Sequence, residues 1–326
     1  KAGPASGKKV AVVGGGPAGL SCAHRLAMLG HAVTVYEARA KPGGLNEYGV
    51  AAYKVAGDIA QREVEYLLAV GNIQVRTGQA LGRAFTLAQL RRDYDAVFLG
   101  AGLGGVNDLG IEEGAVSGVF DAIGYIETLR QAKNLAALPV GRNVVVIGGG
   151  MTAIDIACQT RRLGAEDVTI VYRRGQEQMS ASEKEQDWAQ TNGIRIKHWS
   201  RPQRLLTEQS AVTAVEFEYT RLDAGGKLVG TGERYTLAAD MVFKAIGQTL
   251  VADPFIEGGK QVLLTRDGRV GVDEQRRTSL AGVWAGGDCV AGGQDLTVAA
   301  VEDGKQAALS IDVYLRAAKA KGVSRG

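Results

Sequence analysis

The chain is poor in the residues that carry thiol and metal chemistry. Three cysteines, Cys22, Cys158 and Cys289, stand far apart in 326 residues, with no CxxC among them. That excludes a disulfide framework, a redox-active dithiol and a set of iron–sulfur ligands, and it makes a reducing cytoplasm the expected compartment. The histidines His24, His31 and His198 lack ligand spacing, so no metal site is expected. No run approaches the roughly 20 apolar residues of a membrane-spanning helix, and no signal peptide opens the sequence. Charge of one sign is also lacking. The formal net charge is +3, and no stretch joins basic density to aromatics, which argues against nucleic acid as a partner. Neither a Ser/His/Asp constellation nor a pair of carboxylates set for acid–base work is legible. The remainder, 45% hydrophobic and 22% charged, describes a globular chain long enough for about two domains.

Glycine is what the chain has in excess: 46 residues, about twice the usual share of roughly 7%. It gathers in GGG, GGL, GAGLGG and AGGD, as suits backbone lying against a ligand. Two segments share one layout, VAVVGGGPAGLSCAHRLAMLGHAVTVYEAR (10–39) and VVVIGGGMTAIDIACQTRRLGAEDVTIVYRR (144–174). Each reads as a β-branched buried strand, a glycine turn, a helix and a second strand. Gly14, Gly16 and Gly19 align at a constant offset with Gly148, Gly150 and Ala153, a repeat that predicts two Rossmann-like domains in an α/β fold.

In the first turn, Gly14 permits the tight bend, Gly16 the approach of backbone to a pyrophosphate, and Gly19 close packing of helix on strand. Pro17 and Ala18 open the helix whose N-terminus faces the phosphates. Glu37, followed by Ala38, stands where a ribose is held. The next string, RAKPGGLNEYGVAAYK, brings Gly43, Gly44 and Leu45 toward an isoalloxazine or its diphosphate, and Gly102 closes the apolar run YDAVFLGAG. Near the end of the chain AGVWAGGD leads to Gly287 and Asp288, where the aspartate can hydrogen-bond a ribityl hydroxyl. The helix opening near Leu296, Thr297 and Val298 can aim its N-terminus at a flavin edge.

The second turn, Gly148, Gly149 and Gly150, is followed by Met151, Thr152 and Ala153. It differs from the first at one place: Tyr172, Arg173 and Arg174 stand where the first copy has Glu37. Guanidiniums bind a 2′-phosphate that a carboxylate would repel. NADP(H) is therefore expected, with NAD(H) possible, and Ile246 and Gly247 complete the set. Elsewhere the sequence predicts helices over 59–69, through DAIGYIETLRQAKNLAAL, and after a Ser182/Glu185 capping box. It predicts a hairpin pairing AVEFEYTRL with ERYTLAADMVFKAIG, and a smaller one in TRDGRVGVDE.

Together GGGPAG with Glu37, AVFLGAG and AGVWAGGD resemble the signatures of the two-dinucleotide-binding-domain flavoproteins, the superfamily that includes glutathione reductase. GGLNEYGVAAYK, GGGMTAIDIA and VYRR…MSA are similar to narrower strings of the glutamate synthase small-subunit family. That family includes the NAD(P)H/FAD small subunit of bacterial dihydropyrimidine dehydrogenase, the member most similar by these strings. The resemblance implies FAD in a discontinuous domain, 1–112 and 247–326, with an NADP(H) domain inserted at 113–246. It implies hydride transfer from NAD(P)H to FAD, then electrons passed singly to iron–sulfur clusters and a second flavin. Ala51 and Ser180 replace prolines usual in the family. Its cysteine-rich cluster domain is absent, and the sequence opens on the linker-like KAGPASGKK, so the clusters are expected on a partner subunit or a missing domain. Lys54 matches a basic residue of the family and is expected near the flavin. Asp155, one turn into the second nucleotide helix, fits a helix or domain contact as well as a cofactor contact. Two rival readings are a stand-alone reductase or oxidase acting on a small acceptor, and an assembly subunit that binds nucleotides without turnover.

Overall fold

A computed structural model describes residues 1–114, 116–257, 260–294 and 296–323. Contacts divide the chain into two units, Lys1–Glu47, Val55–Gly105 and Thr249–Gly326 forming the first, Tyr48–Lys54 and Val106–Gln248 the second. The sequence reading put the boundaries at 112/113 and 246/247 and left residues 48–54 with the first.

The first unit is built on a five-stranded sheet with the order Val283–Ala285, Ala96–Leu99, Lys9–Val13, Ala32–Tyr36, Ile73–Arg76. Every pairing is parallel. Its apolar runs lack a polar face because both faces are covered. Val10, Val12, Val33, Val35 and Phe98 pack with helices Pro17–Met28 and Thr297–Val323, reaching Trp284 and Ile311. The alternate residues Ala11, Val13, Val97 and Leu99 pack with Leu90 and Phe255. Each such Val, Leu or Phe side chain contributes roughly 1.5–3 kcal/mol on full burial, so the sheet that carries the first glycine turn is a rigid base. A further anchor comes from Ser6, whose Oγ lies 2.8 Å from His31 Nδ1, while His31 Nε2 lies 2.9 Å from Asp312. This Ser/His/Asp line is invisible in sequence. His31 is buried, so the line ties three segments together instead of presenting a nucleophile.

The second unit repeats the plan, with a parallel sheet ordered Val119–Asp121, Met241–Lys244, Asn143–Ile147, Asp167–Val171, Arg195–Lys197. Beside it lies an antiparallel sheet of Ser200–Glu208, Ala211–Leu222 and Leu228–Ala238. The predicted hairpin is thus corrected in two ways. Ser200–Glu208 adds a strand that the sequence does not suggest, and ERYTLAADMVFKAIG divides between the two sheets. The break falls at Asp240, whose carboxylate accepts from the N–H groups of Arg142 and Asn143. The predicted helix through DAIGYIETLRQAKNLAAL stops at Gln131, and Leu135–Ala137 forms a separate 3₁₀ turn. Asn134 starts that turn by accepting from Ala136 N–H, the local competition that asparagine offers to a helix. TRDGRVGVDE closes as a tight turn, Thr265 N–H to Arg269 O, with one bridge between Leu264 and Val270.

Candidate dinucleotide sites

At the first turn the absence of side chains is a steric necessity. Gly14 has φ +97°, and a Cβ on it would lie 2.2 Å from Gly100 O; one on Gly19 would lie 1.9 Å from Gly14 O. Gly43 N–H donates to Gly15 O at 2.7 Å, and a Cβ on Gly44 would come 2.7 Å from Gly16 Cα. The GGL string therefore lies against the turn. Helix Pro17–Met28 has no side-chain cap and carries Pro17 in its first turn, leaving backbone N–H groups for an anion. Glu37 is buried, with Oε2 accepting from Gly15 N–H and Oε1 from Arg39 N–H, each at 2.8 Å. Its oxygens retain lone pairs for ribose hydroxyls, and Ala38 beside it is exposed.

The C-terminal candidates converge on the same unit. Gly287, with φ +82°, donates its N–H to Asp303 Oδ2 at 2.9 Å. Asp303 also pairs with Arg276. Asp288 is half-buried, and its carbonyl accepts from Arg269 Nη1. Thr297 opens the last helix and its Oγ1 donates to Asn46 Oδ1 at 2.8 Å, while Leu296 and Val298 are exposed. A cavity of about 470 Å³ is bordered by Pro17, Gly43, Asn46 and Thr297 among others. It lies chiefly against helices Pro17–Met28 and Ile59–Leu68, where Ser21, His24, Glu63 and Leu67 also border it, and it is not bordered by Gly14, Gly16 or Glu37. Gly102, at φ +65°, and Leu45 do not border it. Asn46, Asp303 and Arg276 were missed by sequence reasoning. The only signal was an acid in the second turn of a helix that follows a glycine string.

The second turn has the same shape and a different wall. Gly148, at φ +152°, would place a Cβ 2.1 Å from Ala245 O. Helix Met151–Leu163 again starts without a side-chain cap, with Met151 exposed, Thr152 half-buried and Ala153 buried. A Cβ on Gly15 would meet Glu37 Oε2 at 2.9 Å, and one on Gly149 would meet the Tyr172 ring at 2.4 Å. Tyr172 thus fills the place of the carboxylate with an uncharged ring, its hydroxyl donating to Gln178 O. Arg173 is exposed and Arg174 half-buried. Among the described residues neither guanidinium has a hydrogen bond or ion pair, and Arg174 Nε is buried without a partner. Ile246 O accepts from Asn107 Nδ2, and Gly247, at φ +91°, accepts through its carbonyl from Asn107 N–H. Asn107 is a contact the sequence did not announce.

Lys54 is engaged within the second unit. Its Nζ lies 2.8 Å from Asp155 Oδ1 and 2.7 Å from Glu185 Oε1. Tyr53 Oη donates to Asp155 Oδ1 at 2.8 Å, Ala52 N–H to Gln159, and Arg130 Nη1 to Val50 O. Arg162 lies over the rings of Tyr53 and Trp188. Residues 48–54 form a strap on helix Met151–Leu163, and Asp155 is its central anchor. Partial burial pulls the Lys54 pKa down, but the hydrogen bonds it donates to Asp155 and Glu185 outweigh it and hold the ammonium above its ordinary value. Burial likewise works against the Glu185 carboxylate, and bonds from Lys54 and Ser182 lower its pKa overall.

The three cysteines are free and buried, and burial pushes Cys158 and Cys289 up to about 11. Among the described residues no group of three or more His, Cys, Asp and Glu is placed to hold a metal ion, and no helix is long and apolar enough to cross a membrane.

Comparison with known proteins places this geometry. A family described as pyridine nucleotide-disulphide oxidoreductase matches residues 8–304. The NADP(+)-dependent formate dehydrogenase subunit beta of Moorella thermoacetica is 36% identical over 323 residues, covering 95% of this chain and 44% of that protein. The glutamate synthase [NADPH] small chain of Escherichia coli (strain K12) is 33% identical over 331 residues, covering 95% of this chain and 69% of that one. The chain thus spans under half of the former relative and somewhat over two thirds of the latter. FprA from Mycobacterium tuberculosis matches with a TM-score of 0.78 at 17% identity, over 97% of this chain and 86% of that one. T. acidophilum thioredoxin reductase matches at 0.71 and 20%, over 94% and 99%; both likenesses are of fold. The chain belongs to the pyridine nucleotide-disulphide oxidoreductase family, in company with the glutamate synthase small chains.

Proposed function

We propose that the first unit holds FAD, that the second holds NADPH, and that the chain is the electron-input module of a larger enzyme. Electrons from NADPH would leave singly for iron–sulfur clusters on a partner subunit or a further domain. The observation that carries the assignment is the contrast at the ends of the second strands. Glu37 is a buried carboxylate hydrogen-bonded to its glycine turn, whereas Tyr172 is followed by two arginines with no partner among the described residues. Two guanidiniums left without counter-charge suit an anion, and a 2′-phosphate presents one at that end of the strand.

The residues fit the cofactors by shape as well as charge. Gly14, Gly19, Gly148 and Gly149 have no room for a Cβ, and both helices offer uncapped N-termini to a pyrophosphate. Gly14, Gly16, Gly19, Glu37, Gly44, Asp288 and Thr297 would hold FAD. Gly148, Gly150, Thr152, Arg173 and Arg174 would hold NADPH. When bound, a flavin supplies the conversion between a two-electron hydride donor and one-electron acceptors. The chain contributes position: uncapped N–H groups orient phosphates, and Glu37 fixes a ribose. The names of the relatives, a formate dehydrogenase subunit and a glutamate synthase small chain, support a partner that carries the later chemistry. An anaerobic titration tests the reading. NADPH should bleach a flavin bound to the chain, and failure to bleach would sink it. The absence of cluster cysteines from the sequence favours the rival in which a small acceptor is reduced directly. Rapid NADPH oxidation with such an acceptor and no partner would favour that rival.

A further inference from the structure

Beyond the last residue of strand Arg195–Lys197 the chain stays beside the end of strand Asp167–Val171. Tyr172 N–H donates to Lys197 O, Ser200 N–H to Tyr172 O, and Trp199 N–H to Arg174 O at 3.1 Å. Trp199 has φ +55°, a left-handed conformation that a bulky residue rarely adopts. Its surroundings impose it. Besides the bond to Arg174, its carbonyl accepts from Thr220 N–H at 2.8 Å, and the Thr220 hydroxyl bonds Arg173 O at 2.7 Å. Three bonds therefore lock Trp199 to the backbone of the two arginines. Gly175 follows them, and a Cβ there would lie 2.8 Å from indole Cζ2, so the glycine leaves space for the ring. Trp199 is half-buried. Strain that the surroundings over-determine is a pointer to function.

The chemistry of a 2′-phosphorylated adenosine supplies the function. Its phosphate sits on C2′ and its base on C1′ of the same ribose, so a protein that grips the phosphate has the adenine within a few ångströms. At the carboxyl ends of the second and third strands, where such a ligand lies, the Tyr172 ring is turned onto Gly149, and Trp199 is a second aromatic surface fixed beside Arg173 and Arg174. We propose that Trp199 is the adenine platform of the second unit, stacking on the base of a nucleotide whose 2′-phosphate the two arginines hold. This rests on the NADPH reading of that unit. The platform recognises adenine whether or not the 2′-phosphate is present, whereas the arginines recognise only the phosphate.

That difference gives the test, using adenosine 2′,5′-bisphosphate and 5′-ADP as probes of the whole chain by calorimetry. Stacking of a base on an aromatic side chain corresponds to roughly tenfold to a hundredfold in affinity. Trp199→Ala should weaken both probes by a similar factor of about tenfold or more, and Trp199→Phe should restore most of the loss. Adenosine 2′,5′-bisphosphate should also quench indole fluorescence in the unmodified chain, with the quench lost in Trp199→Phe, a readout that stands even where the alanine variant folds poorly. Unchanged affinity for both probes in Trp199→Ala, or absence of a Trp199-dependent quench, would overturn the platform. If instead Arg173→Ala and Arg174→Ala bind both probes as the unmodified chain does, the 2′-phosphate reading fails while the 5′-ADP result still decides the platform.

Discussion

At the residue scale, the two nucleotide turns are alike in backbone and opposite in what faces them. Gly15 looks onto a carboxylate and Gly149 onto a tyrosine ring, so one exchange removes a negative charge from the second site before the arginines add positive ones. Charge-assisted hydrogen bonds contribute about 1.5–3 kcal/mol each. Arg173→Ala and Arg174→Ala should each weaken NADPH binding by roughly tenfold to a hundredfold while changing NADH by less than about threefold, as measured by titration of nicotinamide fluorescence. Equal losses for both nucleotides would refute recognition of the 2′-phosphate. Gly148→Ala is expected to be worse than either, because its Cβ would strike the Ala245 carbonyl at 2.1 Å. A loss of about 1–3 kcal/mol of stability would appear in a thermal melt. Much of this was legible in the sequence, since a glycine forced by backbone contact announces itself by its spacing. Asn46 and Asp303 were not. Which polar residue on a helix turns toward a neighbouring turn depends on packing between segments distant in sequence, and no local pattern encodes it.

At the element scale, the strap of residues 48–54 gives Lys54 and Asp155 definite work. The sequence offered a lysine near the flavin; the structure sets its ammonium between Asp155 and Glu185. Lys54→Met should leave the flavin midpoint potential where it was and raise hydrogen exchange of the 48–54 amides by about tenfold. A shifted potential with unchanged exchange would support the flavin-tuning role instead. The pH dependence follows from the two shifts. The Lys54 pKa is raised above its ordinary 10.5, so its contribution is complete below that value and is lost as pH climbs through the folded pKa. The Glu185 pKa is lowered below 4.5, so its contribution is complete above that value and is lost as pH falls through the folded pKa. Protection of the strap should therefore be flat across neutral pH and decline at both extremes, with Lys54→Met abolishing the alkaline decline. The sequence could place strap and helix as elements but not bring them together, since Lys54 and Asp155 are about a hundred residues apart. Met241–Lys244 shows the same limit: its apolar run looks like a hairpin arm until Asp240 diverts it to the parallel sheet.

At the scale of the whole molecule, the family name joins pyridine nucleotides to disulphide chemistry, and the three cysteines of this sequence form no pair for the second. Its cysteines are buried and unpaired, and the pKa values of Cys158 and Cys289 are near 11, so little thiolate exists at neutral pH. A disulfide reagent such as dithionitrobenzoate should label none of them until the chain is unfolded, and NADPH should bleach the flavin at the same rate before and after exposure to it. With thiols idle and no cluster ligands in the sequence, the two electrons of a reduced flavin have no second station in these 326 residues. On the proposed reading the exit lies on other polypeptide, which predicts a kinetic asymmetry. On that reading flavin reduction by NADPH would belong to this chain alone and should be unaffected by a partner. Reoxidation should be slow with dioxygen and accelerate by about tenfold or more when an iron–sulfur partner is added, in a stopped-flow trace that follows the flavin band. Reoxidation that is already fast with a small organic acceptor, and indifferent to the partner, would make this chain a self-sufficient reductase.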